Sequence, residues 1–231
     1  MNPHKLKPEE RIERRQWCQK ILKFFRQHPE AKDMVQTGDE TYLFYEQERH
    51  GRQWTFPNED TPRATKMMRY TFNKRMFTLF LNLQGVIHVD FQPMNKAADA
   101  IDYTRQLAQV VKNVGGDSFK IIIHDDNARI HTAKIVTKFC QKKKIRRLTH
   151  PRYSPDLAPN DFWLIKKLKR SMDGHVFEES DSFCHVMEFL TSNPASEYEK
   201  CFEEWIKRMR KCLKAGGDYF EWKKRNKKVI K

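Results

Sequence analysis

Two short runs hold the side chains best suited to chemistry. The first is His124-Asp125-Asp126-Asn127-Ala128-Arg129-Ile130-His131; the second is Tyr153-Ser154-Pro155-Asp156-Leu157-Ala158-Pro159-Asn160-Asp161. Ahead of the first lies Phe119-Lys120-Ile121-Ile122-Ile123, short, apolar and rich in β-branched residues. Such a stretch predicts a strand buried on both faces that delivers a carboxylate at its carboxyl end. Asp125 and Asp126 are both candidates, and adjacent strand residues face opposite ways. The second run breaks at Pro155 and Pro159, then enters a predicted helix with Ile165, Leu168 and Met172 on its inner face. Asp161, four residues before Ile165, shares that face. A carboxylate there is costly unless something positive meets it. Two carboxylates about 4 Å apart repel by roughly 4 kcal/mol at an effective dielectric near 20. A carboxylate cluster therefore calls for a proton or a cation, and oxygen-only ligands select Mg²⁺ or Mn²⁺ over zinc.

The elements that must position these runs can be read outward from them. After the first run, Ala133, Val136, Phe139 and Cys140 recur at helical spacing, so the local order is strand, acidic tip, helix. Upstream, Pro8-Glu9-Glu10 opens a helix whose stripe is Cys18, Ile21, Leu22 and Phe25, and His28-Pro29 ends it. Residues 35–46 read as a strand with Asp39, Thr41, Leu43 and Tyr45 on one side. Taken alone, Asp39 after Gly38 reads as a turn residue. Residues 47–75 form a polar, basic excursion around Gln53-Trp54-Thr55-Phe56-Pro57. Residues 76–83 and 86–91 read as a hairpin turning at Gln84-Gly85, and 97–114 as a helix closed by Gly115-Gly116. Ser196 and Glu199 read as a capping box. The helix they open carries Tyr198, Phe202, Trp205, Ile206, Met209 and Leu213 as a core stripe and stops at Gly216-Gly217. The predicted order is strand, hairpin, helix, strand, helix, short strand, helix. That order predicts an α/β fold, a mixed sheet flanked by helices.

Composition bounds the rest. A net charge of +15 and a pI near 9.6 point to a polyanionic partner. No apolar run is long enough for a membrane span, and the N-terminus lacks the apolar segment of a secretory signal. Cys18, Cys140, Cys184, Cys201 and Cys212 are scattered, odd in number and without Cys-x-x-Cys spacing. They read as reduced, mostly buried thiols rather than a zinc site. Lys142-Lys143-Lys144-Ile145-Arg146-Arg147 reads both as a solvated helix end and as an edge that contacts phosphates.

The two runs also carry a family resemblance. Asp126-Asn127-Ala128-Arg129-x-His131, followed by Tyr153-Ser154-Pro155-Asp156-Leu157-Ala158-Pro159-x-Asp161, resembles the catalytic core of mariner-type transposases of the Tc1/mariner superfamily. The two aspartates are separated by 34 residues, as in mariner, and a third Asp rather than Glu also looks like mariner. Thr37-Gly38-Asp39-Glu40 before an aromatic strand resembles the family's first acidic motif. Pro3-His4-Lys5-Leu6 resembles the linker after the family's paired helix-turn-helix modules, with Lys5 in place of Glu and the preceding Trp missing. The chain is therefore expected to hold the catalytic half alone. Mariner cores also occur fused to a histone methyltransferase domain, which nothing here resembles.

The resemblance implies the ribonuclease H-like fold of retroviral integrases and DDE transposases. It divides the chain into a linker and helix (1–34), a catalytic domain (35–193, with the 47–75 insertion) and a C-terminal helix with a basic tail (194–231). It implies a Mg²⁺- or Mn²⁺-dependent transposase or endonuclease that cleaves and joins DNA with two ions. Asp39 would bridge both ions, Asp126 would hold one and Asp161 the other. The family register selects Asp126 over Asp125. Asn127, Arg129 and His131 would support them, and Lys142, Lys143, Lys144, Arg146, Arg147 and Arg152 would face DNA. A homodimer, nuclear location, no membrane and no small-molecule cofactor complete the expectation. The contrasting expectation is a truncated or domesticated protein that binds nucleic acid without catalysis.

Overall fold

The computed structural model describes residues 4–44, 74–116, 120–173 and 177–221. The expected 47–75 excursion, apart from residues 74 and 75, and the basic tail 222–228 lie outside the described residues, as do Pro3, Tyr45 and Phe119.

One mixed sheet organises the chain. Its strands are β1 (Val35–Phe44), β2 (Lys74–Leu81), β3 (Val86–Phe91), β4 (Ile122–His124) and β5 (Arg146–Arg147), in spatial order β3-β2-β1-β4-β5. The pairs β1/β2 and β2/β3 are antiparallel, whereas β1/β4 and β4/β5 are parallel. The β2–β3 turn falls where Gln84-Gly85 placed it. There the Asn82 side-chain oxygen accepts from the Gln84 and Gly85 N–H groups at 2.8 and 3.1 Å, so the turn's donors are satisfied.

The helices are α1 (Pro8–Gln27), α2 (Ala100–Asn113), α3 (Arg129–Thr132), α4 (Lys134–Lys142), α5 (Ile165–Met172), α6 (Glu179–Ser192) and α7 (Ala195–Lys214). They cover both faces of the sheet. On one face Ile121 and Ile123 pack with Phe80, with Tyr103, Leu107 and Val110 of α2, and with Val136 and Cys140 of α4. On the other, Ile122 packs with Cys18, Ile21 and Phe25 of α1, Leu168 and Met172 of α5, and Phe202, Trp205 and Met209 of α7. This two-sided burial is why Ile121, Ile122 and Ile123 are all apolar rather than alternating with polar residues. It also means that α1 and α7 share a core with the sheet.

Two helix starts differ from the sequence pattern. Helix α2 begins at Ala100 because Asp99 accepts from the N–H groups of Ile101 and Asp102, and Asp102 returns the bond to the Asp99 N–H. Helix α7 has Pro194 in the cap position with no side-chain capping bond, so the expected Ser196–Glu199 box is corrected. The fixed φ of Pro194, −71°, starts the helix early enough to leave Ser196 inside its first turn. At its other end Gly217 (φ +87°) passes so close to α1 that a Cβ would sit 2.1 Å from the Arg11 carbonyl oxygen.

Candidate active site

Strand β1 supplies Asp39 from the middle of the sheet. Its register is locked by the residue before it: a Cβ at Gly38 would fall 2.3 Å from the Phe80 ring, so a side chain there would force β1 away from β2. Strand β4 ends at His124, and the next two residues part company. Asp125 is fully buried, and its Oδ2 accepts from the Tyr103 hydroxyl at 2.9 Å and from the Arg147 guanidinium. Asp126 lies on the other side. Its Oδ1 accepts from the Ala128 N–H at 2.8 Å and meets His131 Nδ1 at 2.7 Å. Asp161 comes from a π turn, Asn160–Leu164, that leads into α5. The neighbouring Asn160 amide reaches the carbonyls of Thr37 and Leu79 at 3.3 and 3.4 Å, which sets the turn against the strands around Asp39.

Asp39 and Asp161 stand close enough for each to shift the other's ionisation, within the field of Asp126. Burial pushes the Asp39 carboxyl well above the usual range, and the charges of Asp161, Glu40 and Asp126 push it further. Burial likewise raises Asp161, to about 6, with Asp126 adding to the shift and the bond to Asp39 opposing it. Asp126 is also raised by burial, but its bonds to His131 and the Ala128 N–H outweigh that and hold it below the usual range. Burial would lower His131; its bonds to Asp126 and to Glu40 Oε1 (3.2 Å) instead carry it to about 10. His131 is therefore an imidazolium at neutral pH, wedged between two carboxylates.

Among the described residues no three His, Cys, Asp or Glu side chains converge closely enough to hold an ion. Two carboxyls meet, and the third stands on His131. The donor set fits a hard divalent cation nonetheless. It is oxygen-only, and two carboxyls hold protons above their ordinary range, chiefly because they are buried and further because other carboxylates face them.

Of the other expected site residues, Asn127 donates to the His150 carbonyl at 2.9 Å, and Arg129 is exposed on α3. Lys142 closes α4, and Lys143 and Lys144 follow it into solvent, Lys144 with φ +55°. Arg146 is exposed over the Phe24 ring, and Arg152 is exposed before Tyr153. Arg147 turns inward instead, its guanidinium committed to Asp125 and, at 2.9 Å, to the His131 carbonyl. This corrects its grouping with the DNA-facing cations: a buried carboxylate takes the nearest guanidinium, and strand alternation turns Arg147 away from Arg146. Sequence reading missed Glu40, Tyr103, Asn160 and Lys169. Lys169 alone had a local signal, lying two helical turns beyond Asp161 and close enough to feel the charges of Asp161 and Asp39.

A sheet with this order, with one carboxylate on its middle strand, one just beyond the end of the neighbouring parallel strand and one from a later helical turn, has the ribonuclease H-like fold. Residues 33–184 match the DDE superfamily endonuclease family, and the chain belongs to that family. It is 24% identical over 232 residues to the Mariner Mos1 transposase of Drosophila mauritiana, covering 95% of this chain and 65% of that protein. It is 27% identical over 227 residues to the human histone-lysine N-methyltransferase SETMAR, covering 95% of this chain and 33% of that protein. The chain thus spans a third of one curated relative and just under two thirds of the other. The crystal structure of the catalytic domain of Mos1 mariner transposase matches with a TM-score of 0.79 at 21% identity, over 96% of this chain and all of that one. The Mos1 paired-end complex with left transposon end matches with a TM-score of 0.87 at 23% identity, over 95% of this chain and 66% of that one. These likenesses establish the fold.

Proposed function

We propose that this chain is the catalytic domain of a mariner-type DNA transposase, cleaving and transferring DNA strands with Asp39, Asp126 and Asp161 as ligands of two Mg²⁺ or Mn²⁺ ions. The observation that carries this reading is the contact of Asp39 with Asp161 under the charge of Asp126, which leaves a cluster short of positive charge. Asp39, Asp126 and Asp161 would hold the ions, Asp39 being the carboxyl that feels the charges of both the others. Bound ions would activate water or a 3′-hydroxyl and stabilise the leaving oxygen of an in-line displacement at phosphorus. The imidazolium of His131 orients Asp126 from behind, and Glu40 fixes the far side of the His131 ring. Lys142, Lys143, Lys144, Arg146 and Arg152 offer exposed cations for phosphates.

The relatives support the reading. Mos1 structures include paired-end complexes with transposon DNA and with Mn or Mg. DNA as partner, a homodimer and a nuclear location belong to this proposal. Among the described residues no helix is long and apolar enough to cross a membrane.

The test is nicking of DNA bearing mariner-type ends. Wild type should cut in Mn²⁺, more slowly in Mg²⁺ and poorly in Ca²⁺, whose looser shell misplaces the reacting oxygens. The products should carry 3′-hydroxyl and 5′-phosphate ends, and Asp161→Asn should abolish cutting while DNA binding stays within a few-fold. Absence of metal-dependent nicking by the wild type would overturn the proposal, as would nicking that survives in Asp161→Asn.

A further inference from the structure

We infer that Arg14 is a positioning residue for Asp161: through Asp156 it braces the loop that carries the third carboxylate. By this route α1 and α7, both outside the residues that match the endonuclease family, complete the active site. The inference deepens the proposed function and rests on it.

Arg14 is completely buried, and its three nitrogens reach the 154–156 loop, Cys212 Sγ of α7 (3.8 Å from Nη2) and the chain just after α7. Nη1 donates to Ser154 Oγ at 2.7 Å and to Asp156 Oδ1 at 2.8 Å, while Nη2 donates to Asp156 Oδ2 at 2.6 Å. Nε donates to the Gly217 carbonyl at 2.8 Å, just beyond the end of α7. Helix α7 adds two more ties: Trp205 Nε1 donates to the Leu157 carbonyl at 2.7 Å, and Arg208 Nη1 to the Asp156 carbonyl at 3.1 Å. Residues 154–157 are thus held by side chains from both helices. Three residues further on, Asn160 is tied to carbonyls of β1 and β2, and Asp161 follows it.

The intervening chain has little slack. The Leu157 N–H bonds to the Ser154 carbonyl, and the Phe162 N–H, already within the π turn, bonds back to the Ala158 carbonyl. A shift at the Arg14 joint therefore moves the Asp161 carboxyl relative to Asp39, and reacting geometries tolerate only small misplacements. A planar fork with two parallel bonds fixes direction as well as distance, which a lysine cannot do. The pair spans α1 and a loop 142 positions away, so the brace forms only once α1 has docked.

The test separates bracing from mere stability. Replacing both members together, Arg14→Met with Asp156→Leu, leaves no charge stranded and preserves folding better than either single change. Three measurements are compared with wild type: amide exchange without metal, Mn²⁺ binding by electron paramagnetic resonance, and nicking at saturating Mn²⁺ and DNA. The expected result is exchange at least about tenfold faster over residues 154–164 with β1, β2 and α2 unchanged, weaker Mn²⁺ binding, and at least about tenfold slower nicking. DNA affinity should stay within about twofold, because no DNA-facing cation is altered. Arg14→Lys should fall between, and it carries the same three measurements if the double variant does not fold. Wild-type exchange and nicking in a folded variant would overturn the brace. If the wild type neither binds Mn²⁺ nor nicks, the functional reading fails. The exchange arm then decides the brace alone: loosening confined to 154–164 supports it, and unchanged exchange sinks it.

Discussion

Asp156 and Asp161 are five residues apart and sit in opposite electrostatic settings. Asp156 is buried with a guanidinium forked onto both its oxygens. Asp161 is half-buried beside another carboxyl, and its proton is held to about pH 6. The neighbours Asp125 and Asp126 divide differently: burial holds the Asp125 carboxyl above the usual range despite Arg147 and the Tyr103 hydroxyl, whereas the bonds to His131 and the Ala128 N–H hold Asp126 below it. Carboxylates that hold this fold together are matched with a dedicated cation. At the candidate site Asp39 and Asp161 are left short of positive charge, which costs stability and leaves room for a cation from solution.

The contrast can be broken most forcefully on the paired side. Arg14→Met strands the Asp156 charge in the core and should lower unfolding free energy by about 3–5 kcal/mol in urea denaturation. A loss within the range of ordinary surface substitutions would show that the buried pair contributes little. On the unpaired side, Mn²⁺ at about 100 times its Kd should stabilise the wild type by roughly 2.7 kcal/mol, since it binds only the folded cluster. Thermal unfolding should show a smaller gain for Asp126→Asn; equal shifts for both proteins would remove the metal site.

Asp161→Asn should act oppositely to Arg14→Met in metal-free buffer. A carboxyl with a raised folded pKa contributes stability that is complete below its unfolded pKa, near 3.8, and lost as pH rises through about 6. The variant should therefore be more stable than wild type by roughly 1–3 kcal/mol at pH 7–8, a range discounted because Asp161 is only partly buried. Its advantage should shrink from pH 6 to pH 4. A variant less stable than wild type at pH 8 would contradict the charge-short reading. The smallest effect is expected far from both clusters. Changing Lys142, Lys143 and Lys144 to Gln should shift stability by less than about 0.5 kcal/mol. It should also flatten the salt dependence of DNA binding by about 0.9 for each phosphate no longer neutralised, in a titration of affinity against ionic strength.

Much of the frame was legible in the chain itself. The β4 run, the hairpin turn at Gln84-Gly85 and the stripes of α1 and α7 rest on periodicity and turn chemistry, which act over a few residues. The spacing of Asp126 and Asp161 pointed to the family without any tertiary information. Helix starts were less legible, because Pro194 and Asp99 compete with neighbouring capping residues and small differences in geometry decide between them.

What the sequence determined by itself was the order of elements, the two-faced burial of β4 and the presence of three carboxylates at mariner-like spacing. Tertiary structure decided which charges those carboxylates meet. Lys, Arg and Asp side chains carry no periodic mark of their partners. Arg147 reads as one more cation in a basic run until Asp125 is found buried beside it. Arg14 reads as a polar position of α1 until Asp156, 142 positions later, folds onto it. The physical reason is that pairing of buried charge depends on distance in space and on desolvation, and neither exists until the core has closed.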